Sequence, residues 1–129
     1  MIEQKSSTTA IKDFNMAIEV RRIILEQHEF QAVLNVFAQM EGSDFPEGFV
    51  VGFEIRNENP LQIFVDIQSP DGAQVGVELA EDFIVEALIN FCIQTKIPVS
   101  RKSKKSVRLS DGKISFDMSL INPSFSTNI

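Results

Sequence analysis

The chain contains no Trp and no Tyr, although it carries eleven Phe. Sugar- and base-stacking surfaces favour rings with a polar handle, so Phe alone reads as core filling and argues against a carbohydrate or nucleobase platform. Cysteine is almost absent. Cys92 is the only one, which excludes an intrachain disulfide. It sits in an apolar helical run, where a free Cys acts as a small hydrophobe, and it fits a reducing compartment. Histidine is as scarce. His28 stands alone in Glu26-Gln27-His28-Glu29. With no Ser, Cys or second His at motif spacing, neither a catalytic nor a metal-ligating role is expected of it. No apolar run reaches transmembrane length, and Met1–Ala10 has no hydrophobic signal core. A cytoplasmic protein without membrane contact is expected.

What is present is a charge inversion. From Glu41 to Glu86 there are eleven acids and one base, Arg56. From Lys96 to Lys113 there are seven bases and one acid, Asp111. Such asymmetry points to a charged partner, either another molecule or another copy of the chain. The overall charge of −6 argues against nonspecific duplex binding by the whole molecule. A length of 129 residues fits one domain, expected over residues 11–121, with 1–10 a flexible N-terminus and 122–129 a C-terminal tail.

Residues Met16–Glu41 read as a helix. Met16, Val20, Ile23, Phe30, Leu34 and Phe37 recur at helical spacing, and Gly42 follows as a natural stop. The start also fits a strand, because Phe14, Met16, Ile18 and Val20 alternate with Asn15, Ala17, Glu19 and Arg21. The longer window favours helix; a short strand before a shorter helix is the alternative. Period two then takes over. Phe49, Val51, Phe53 and Ile55 alternate along one strand, and Leu61, Ile63, Val65 and Ile67 along the next. A shared face restricts the register to Ile55 opposite Leu61 or Ile63. Pro70-Asp71-Gly72 turns the chain into a third strand through Val75, Val77 and Leu79.

Glu81–Lys96 reads as a second helix, opened by Glu81 and Asp82 and closed before Pro98. It is apolar on most sides, so it needs cover on two. Asp111-Gly112 between alternating runs predicts a terminal hairpin. The predicted fold is α+β, a two-layer sandwich with an antiparallel sheet and the order helix, three-strand meander, helix, β-hairpin.

The basic segment holds Arg101, Lys102, Lys104, Lys105 and Arg108. These residues form the candidate partner- or anion-binding site, since Arg forks match carboxylate and phosphate. The competing view is a solvated edge. In the Asp111-Gly112 register, Lys104, Ser106 and Arg108 lie across from Ser119, Asp117 and Ser115, so Asp117 would neutralise part of the patch. Edge lysines also discourage sheet-to-sheet aggregation. Arg101 followed by Lys105, with no Asp/Asn-x-Ser-x-x-Gly strand downstream, departs from the PilZ-type cyclic-dinucleotide receptors, and that family is excluded.

The element order resembles that of the small acidic secretion chaperones of bacterial injection systems, which pair as dimers. The resemblance covers most of the chain as architecture, without a shared motif, and the final helix of those chaperones is missing. It implies apolar strand and helix surfaces that hold a partner chain.

Val50 and Phe64, with Gly52, are expected on the face of the meander away from the core. Phe64 would cover Gly52 if Ile55 pairs with Leu61. Val50, Phe64, Val85 and Ile89 are accordingly the candidate apolar interface. The acids Glu78, Glu81, Asp82 and Glu86 lack a Glu-x-x-His element or a calcium loop, so neither a metal nor a cofactor is expected. The resulting expectation is a non-catalytic interaction or adaptor module that forms a homodimer, its basic segment meeting an acidic surface. An acidic protein is a second candidate partner. The alternatives are anionic-ligand or nucleic-acid binding through 101–108, and an enzyme whose site no motif reveals.

Overall fold

The computed structural model describes residues 2–10 and 17–122. Strands β1 (Ile2–Ala10) and β2 (Ala17–Leu25) precede helix α1 (Gln27–Ala38). The meander follows as β3 (Phe49–Glu58), β4 (Leu61–Gln68) and β5 (Gln74–Leu79). Helix α2 (Glu81–Gln94) leads to the hairpin β6 (Lys104–Ser110) and β7 (Lys113–Asn122). The class is α+β with antiparallel sheets, as expected. The hairpin does not stand alone, however. It joins the N-terminal strands in a four-stranded sheet ordered β1-β2-β7-β6, while β3-β4-β5 form a second sheet.

Two expectations at the N-terminus are corrected. The segment expected to be a loose end is strand β1, paired from Ile2↔Leu25 to Ala10↔Ala17. Of the long first helix, Met16 lies outside the described residues, and the rest is a strand followed by a shorter helix. Ile18, Val20, Ile23 and Ile24 crowd β2 with β-branched side chains, which lose rotamer freedom in a helix and fit a pleated surface. Pairing with β7 fixes the strand, with Ile23 opposite Phe116 and Leu25 opposite Ile114. Ile23, Leu25, Ile114 and Phe116 are all buried. Helix α1 then starts where the Glu29 side chain accepts a hydrogen bond from the Glu26 N–H at 2.9 Å. Of the expected C-terminal tail, Asn122 belongs to β7 and 123–129 lie outside the described residues.

The meander takes the second of its two permitted registers, Ile55 opposite Ile63. A β-bulge between Val50 and Gly52 adds a change that alternation alone does not encode. It turns Val50 inward opposite Ile67, where it is 3% exposed, and leaves Phe49 and Val51 outside. Asn35 of α1 holds this point. Its amide donates to the Val50 carbonyl at 3.0 Å, and its carbonyl accepts from the Val50 N–H at 2.7 Å.

The helices run antiparallel, with Phe37 late in α1 meeting Phe83 early in α2 edge to face at 5.5 Å. Together with the inner faces of both sheets they enclose one core. Its largest members include Phe30, Phe116, Leu34, Leu61, Ile84 and Leu88. Among the described residues most Phe rings pack in or against the core; Phe30 also meets Phe53 at 5.4 Å, and Phe45 meets Phe83 at 5.2 Å.

Helix α2 stops at Gln94, short of the expected Lys96. The Ile97 N–H returns to the Cys92 carbonyl at 2.8 Å and the Lys96 N–H to the Ile93 carbonyl at 3.2 Å. This Schellman closure puts Lys96 in the left-handed region, with φ 62°. The terminal hairpin turns as its sequence requires. Asp111 and Gly112 both have positive φ, 52° and 73°, and Ser110 faces Lys113.

Candidate interaction surface

The basic segment begins in the loop after α2 and runs into β6, the outermost strand of its sheet. The expected register holds, with Lys104 opposite Ser119, Ser106 opposite Asp117 and Arg108 opposite Ser115. Asp117 does temper the patch. It accepts from Arg108 Nε at 2.8 Å, from Arg22 Nε at 2.7 Å and from Ser115 Oγ at 2.9 Å. Burial works to raise the Asp117 carboxyl, but the hydrogen bonds from Arg108, Arg22 and Ser115 outweigh it and hold it below its ordinary value. Arg22 was not legible as a member of this group, because the helical reading of Met16–Glu41 kept it away from β7. The signal lay in the alternation of the first residues, which also fits a strand.

Lys105 is engaged as well. Its ammonium donates to the carbonyls of Ser100 and Ser103, both at 2.8 Å, closing the loop on itself. Arg101, Lys102 and Lys104 remain exposed, and none of them forms an ion pair among the described residues. The positive surface is therefore the loop end and the first residue of β6. Inside this loop, Arg21 Nη1 donates to the Pro98 carbonyl at 2.7 Å. Beside that contact lies an open hollow of about 260 Å³, between the Pro98–Ser103 loop and Glu19, Met118 and Leu120.

The acids sit elsewhere. On the meander and its flanks, Glu47, Glu54, Glu58, Asp71 and Glu78 are exposed. Arg56, the one base there, lies 3.6 Å from Glu54 and 3.7 Å from Glu78. Its guanidinium is also 4.8 Å from the centre of the Phe64 ring. Glu81 is used differently. Its carboxylate accepts the Val107 N–H at 2.9 Å, capping the free edge of β6 with a side chain from α2. Asp82 accepts from the Phe83 N–H at 2.9 Å, and Glu86 faces solvent. Among the described residues no three His, Cys, Asp or Glu side chains come together as metal ligands. His28 is exposed in the first turn of α1.

The candidate apolar interface is scattered. Val50 is core, for the reason given by the bulge. Val85 and Ile89 are half-buried and pack on the core; the exposed apolar residue of α2 is Ile93, at 65%. Phe64 does face outward, half-buried, but it covers Gly76 of β5 and not Gly52, as the Ile55–Ile63 register requires. Cys92 is buried, and desolvation pushes its thiol up to about 11, slightly opposed by Arg21. That is a packing role, in line with its place in the helix. No helix among the described residues is long and apolar enough to cross a membrane.

In comparisons with known proteins, the chain matches no family model, no curated sequence and no solved structure. The likeness of element order to the secretion chaperones therefore carries no family assignment, and β1 and β2 depart from that order.

Proposed function

We propose that the chain is a non-catalytic interaction module that works as a homodimer, the basic loop of one copy meeting the acidic meander of the other. The observation behind this is the pairing of charges. The ion pairs of the meander stay within it, through Arg56. Those of the four-stranded sheet join Arg22 and Arg108 to Asp117, and Lys113 of β7 to Glu26. None links the basic loop to the meander among the described residues. Two self-satisfied charge sets leave Arg101, Lys102 and Lys104 facing outward on one side and the acids on another. A second copy supplies both complements at once. We place the module in the cytoplasm, where a lone thiol such as Cys92 stays reduced.

Anion or nucleic-acid binding by the same loop is a weaker reading. Lys105 and Arg108 are spent on internal partners, so fewer cations are free to neutralise phosphates. Reversal of Lys102 and Lys104 to Glu separates the two. A homodimer held by the loop loses at least tenfold in self-affinity in Lys102→Glu/Lys104→Glu. A variant that self-associates like the wild type while losing oligonucleotide binding would overturn the dimer reading.

A further inference from the structure

The inner edges of the two sheets are closed by helix side chains. At β3, Asn35 takes both backbone groups of Val50, and Gln39 donates to the Gly48 carbonyl at 2.8 Å. At β6, Glu81 takes the Val107 N–H. Sheet edges left open invite strand addition, and folded proteins usually guard them. Strand β5 has no such guard among the described residues. Its outward backbone groups can be identified from the turn before it. The Ser69 N–H donates to the Ala73 carbonyl at 2.8 Å, so Ser69 and Ala73 are a hydrogen-bonded pair. Alternation along the antiparallel ladder then bonds Val75, Val77 and Leu79 to β4. It leaves the N–H and C=O groups of Gln74, Gly76 and Glu78 pointing out of the sheet. Among the described residues no group bonds to them.

The chemistry beside this edge is two-sided. On the core side Val75 is 41% exposed and Val77 half-buried, so a neighbouring strand would extend an apolar row. On the outer side Glu78 stands opposite Phe64 of β4 and 3.7 Å from Arg56, and Asp66 stands opposite Gly76, while the Phe64 ring fills the gap above Gly76. A Cβ at Gly76 would meet that ring. The outer face beside the edge is thus net acidic, with Glu54, Asp66 and Glu78 set against Arg56 alone. Pairing β5 with β5 of a second copy would set two acidic meanders side by side, which like charge opposes.

We infer that the β5 edge receives an extended peptide from a partner protein, adding a fourth strand to the meander, with β-branched residues over Val75 and Val77 and basic residues alternating on the Glu78 side. This site lies on the meander, apart from the basic loop, and its argument does not rest on the homodimer. The probe is a short fluorescent peptide alternating Val and Lys, read by anisotropy, against a peptide of the same composition with its valines and lysines in two blocks. The alternating peptide is expected to bind at least tenfold tighter than the blocked one. Glu78→Pro removes an outward N–H without touching the ladder to β4, and Glu78→Gln removes only the charge. Binding is expected to fall at least tenfold in Glu78→Pro relative to Glu78→Gln. Gln74→Pro, at the first residue of the strand, is the second variant, and urea midpoints establish that each folds. Equal binding of the two peptides, or equal binding by the Pro and Gln variants, overturns the assignment. So does peptide-independent dimerisation that is abolished by Glu78→Pro but kept in Glu78→Gln, which would give the edge to a second copy.

Discussion

Asp117 shows how a single carboxylate decides what a run of lysines and arginines can do. It binds Arg22 and Arg108 on either side and is itself largely sheltered, with 16% of its side chain exposed. Asp117→Asn leaves both guanidiniums with a weaker acceptor. Hydrogen bonds to charged groups are each worth about 1.5–3 kcal/mol, so the part-exposed pair should cost about 2 kcal/mol in urea unfolding. The sign of the pH effect follows from the lowered carboxyl of the folded state. Its stabilisation is fully present above the unfolded value, near 3.8, and is lost as pH falls through the folded one. Wild-type stability should therefore drop below about pH 4 more steeply than that of Asp117→Asn. Lys96 makes the opposite case. Its left-handed backbone costs roughly 1–2 kcal/mol in a non-Gly residue, while its charge at the helix end returns about 0.3–1 kcal/mol. Lys96→Gly should thus gain about 0.5–1 kcal/mol, seen as a higher urea midpoint with unchanged slope.

At the scale of elements, Phe64 and Gly76 give a direct test of the meander register. Gly76→Ala would push a Cβ into the Phe64 ring, which is itself packed under Arg56. Overpacking of this kind costs about 1–3 kcal/mol, and the penalty should largely vanish in the Phe64→Ala background. Full additivity of the two changes in urea melts would mean the ring does not cover Gly76. The three strands of the meander, the apolar second helix and the Asp111-Gly112 hairpin were all legible in the sequence. Each combines a clear period with a turn of fixed chemistry, and the predicted opposition of Ser106 and Asp117 followed from the hairpin alone. The boundary between β2 and α1 was not, because Ile18, Val20 and Ile23 satisfy both periods over a few residues. Only the distant strand β7 decides between them. The bulge at Val51 likewise leaves no trace in the alternation, which assigns Val50 to the outer face, whereas it is buried. Of the candidate site, the basic residues could be located from sequence. Which of them are free could not, since that depends on Arg22, Ser100 and Ser103.

For the whole molecule, the excess of acid and the local excess of base do not neutralise each other through any ion pair among the described residues. The internal ion pairs consume Arg22, Arg56, Arg108 and Lys113. Lys96, Arg101 and Lys102 of the loop and Lys104 at the start of β6 stay exposed, and among the described residues no ion pair joins them to the acidic meander. Attraction between such surfaces is screened over about 8 Å at physiological salt, so an association built on it weakens as salt rises. The most direct test is static light scattering on the full chain over a range of concentrations, at low and at high salt. A homodimer held by the basic loop predicts a mass near twice 14.5 kDa at low salt, shifting toward the single-chain value as salt is added. A mass of 14.5 kDa at every concentration and every salt would contradict it.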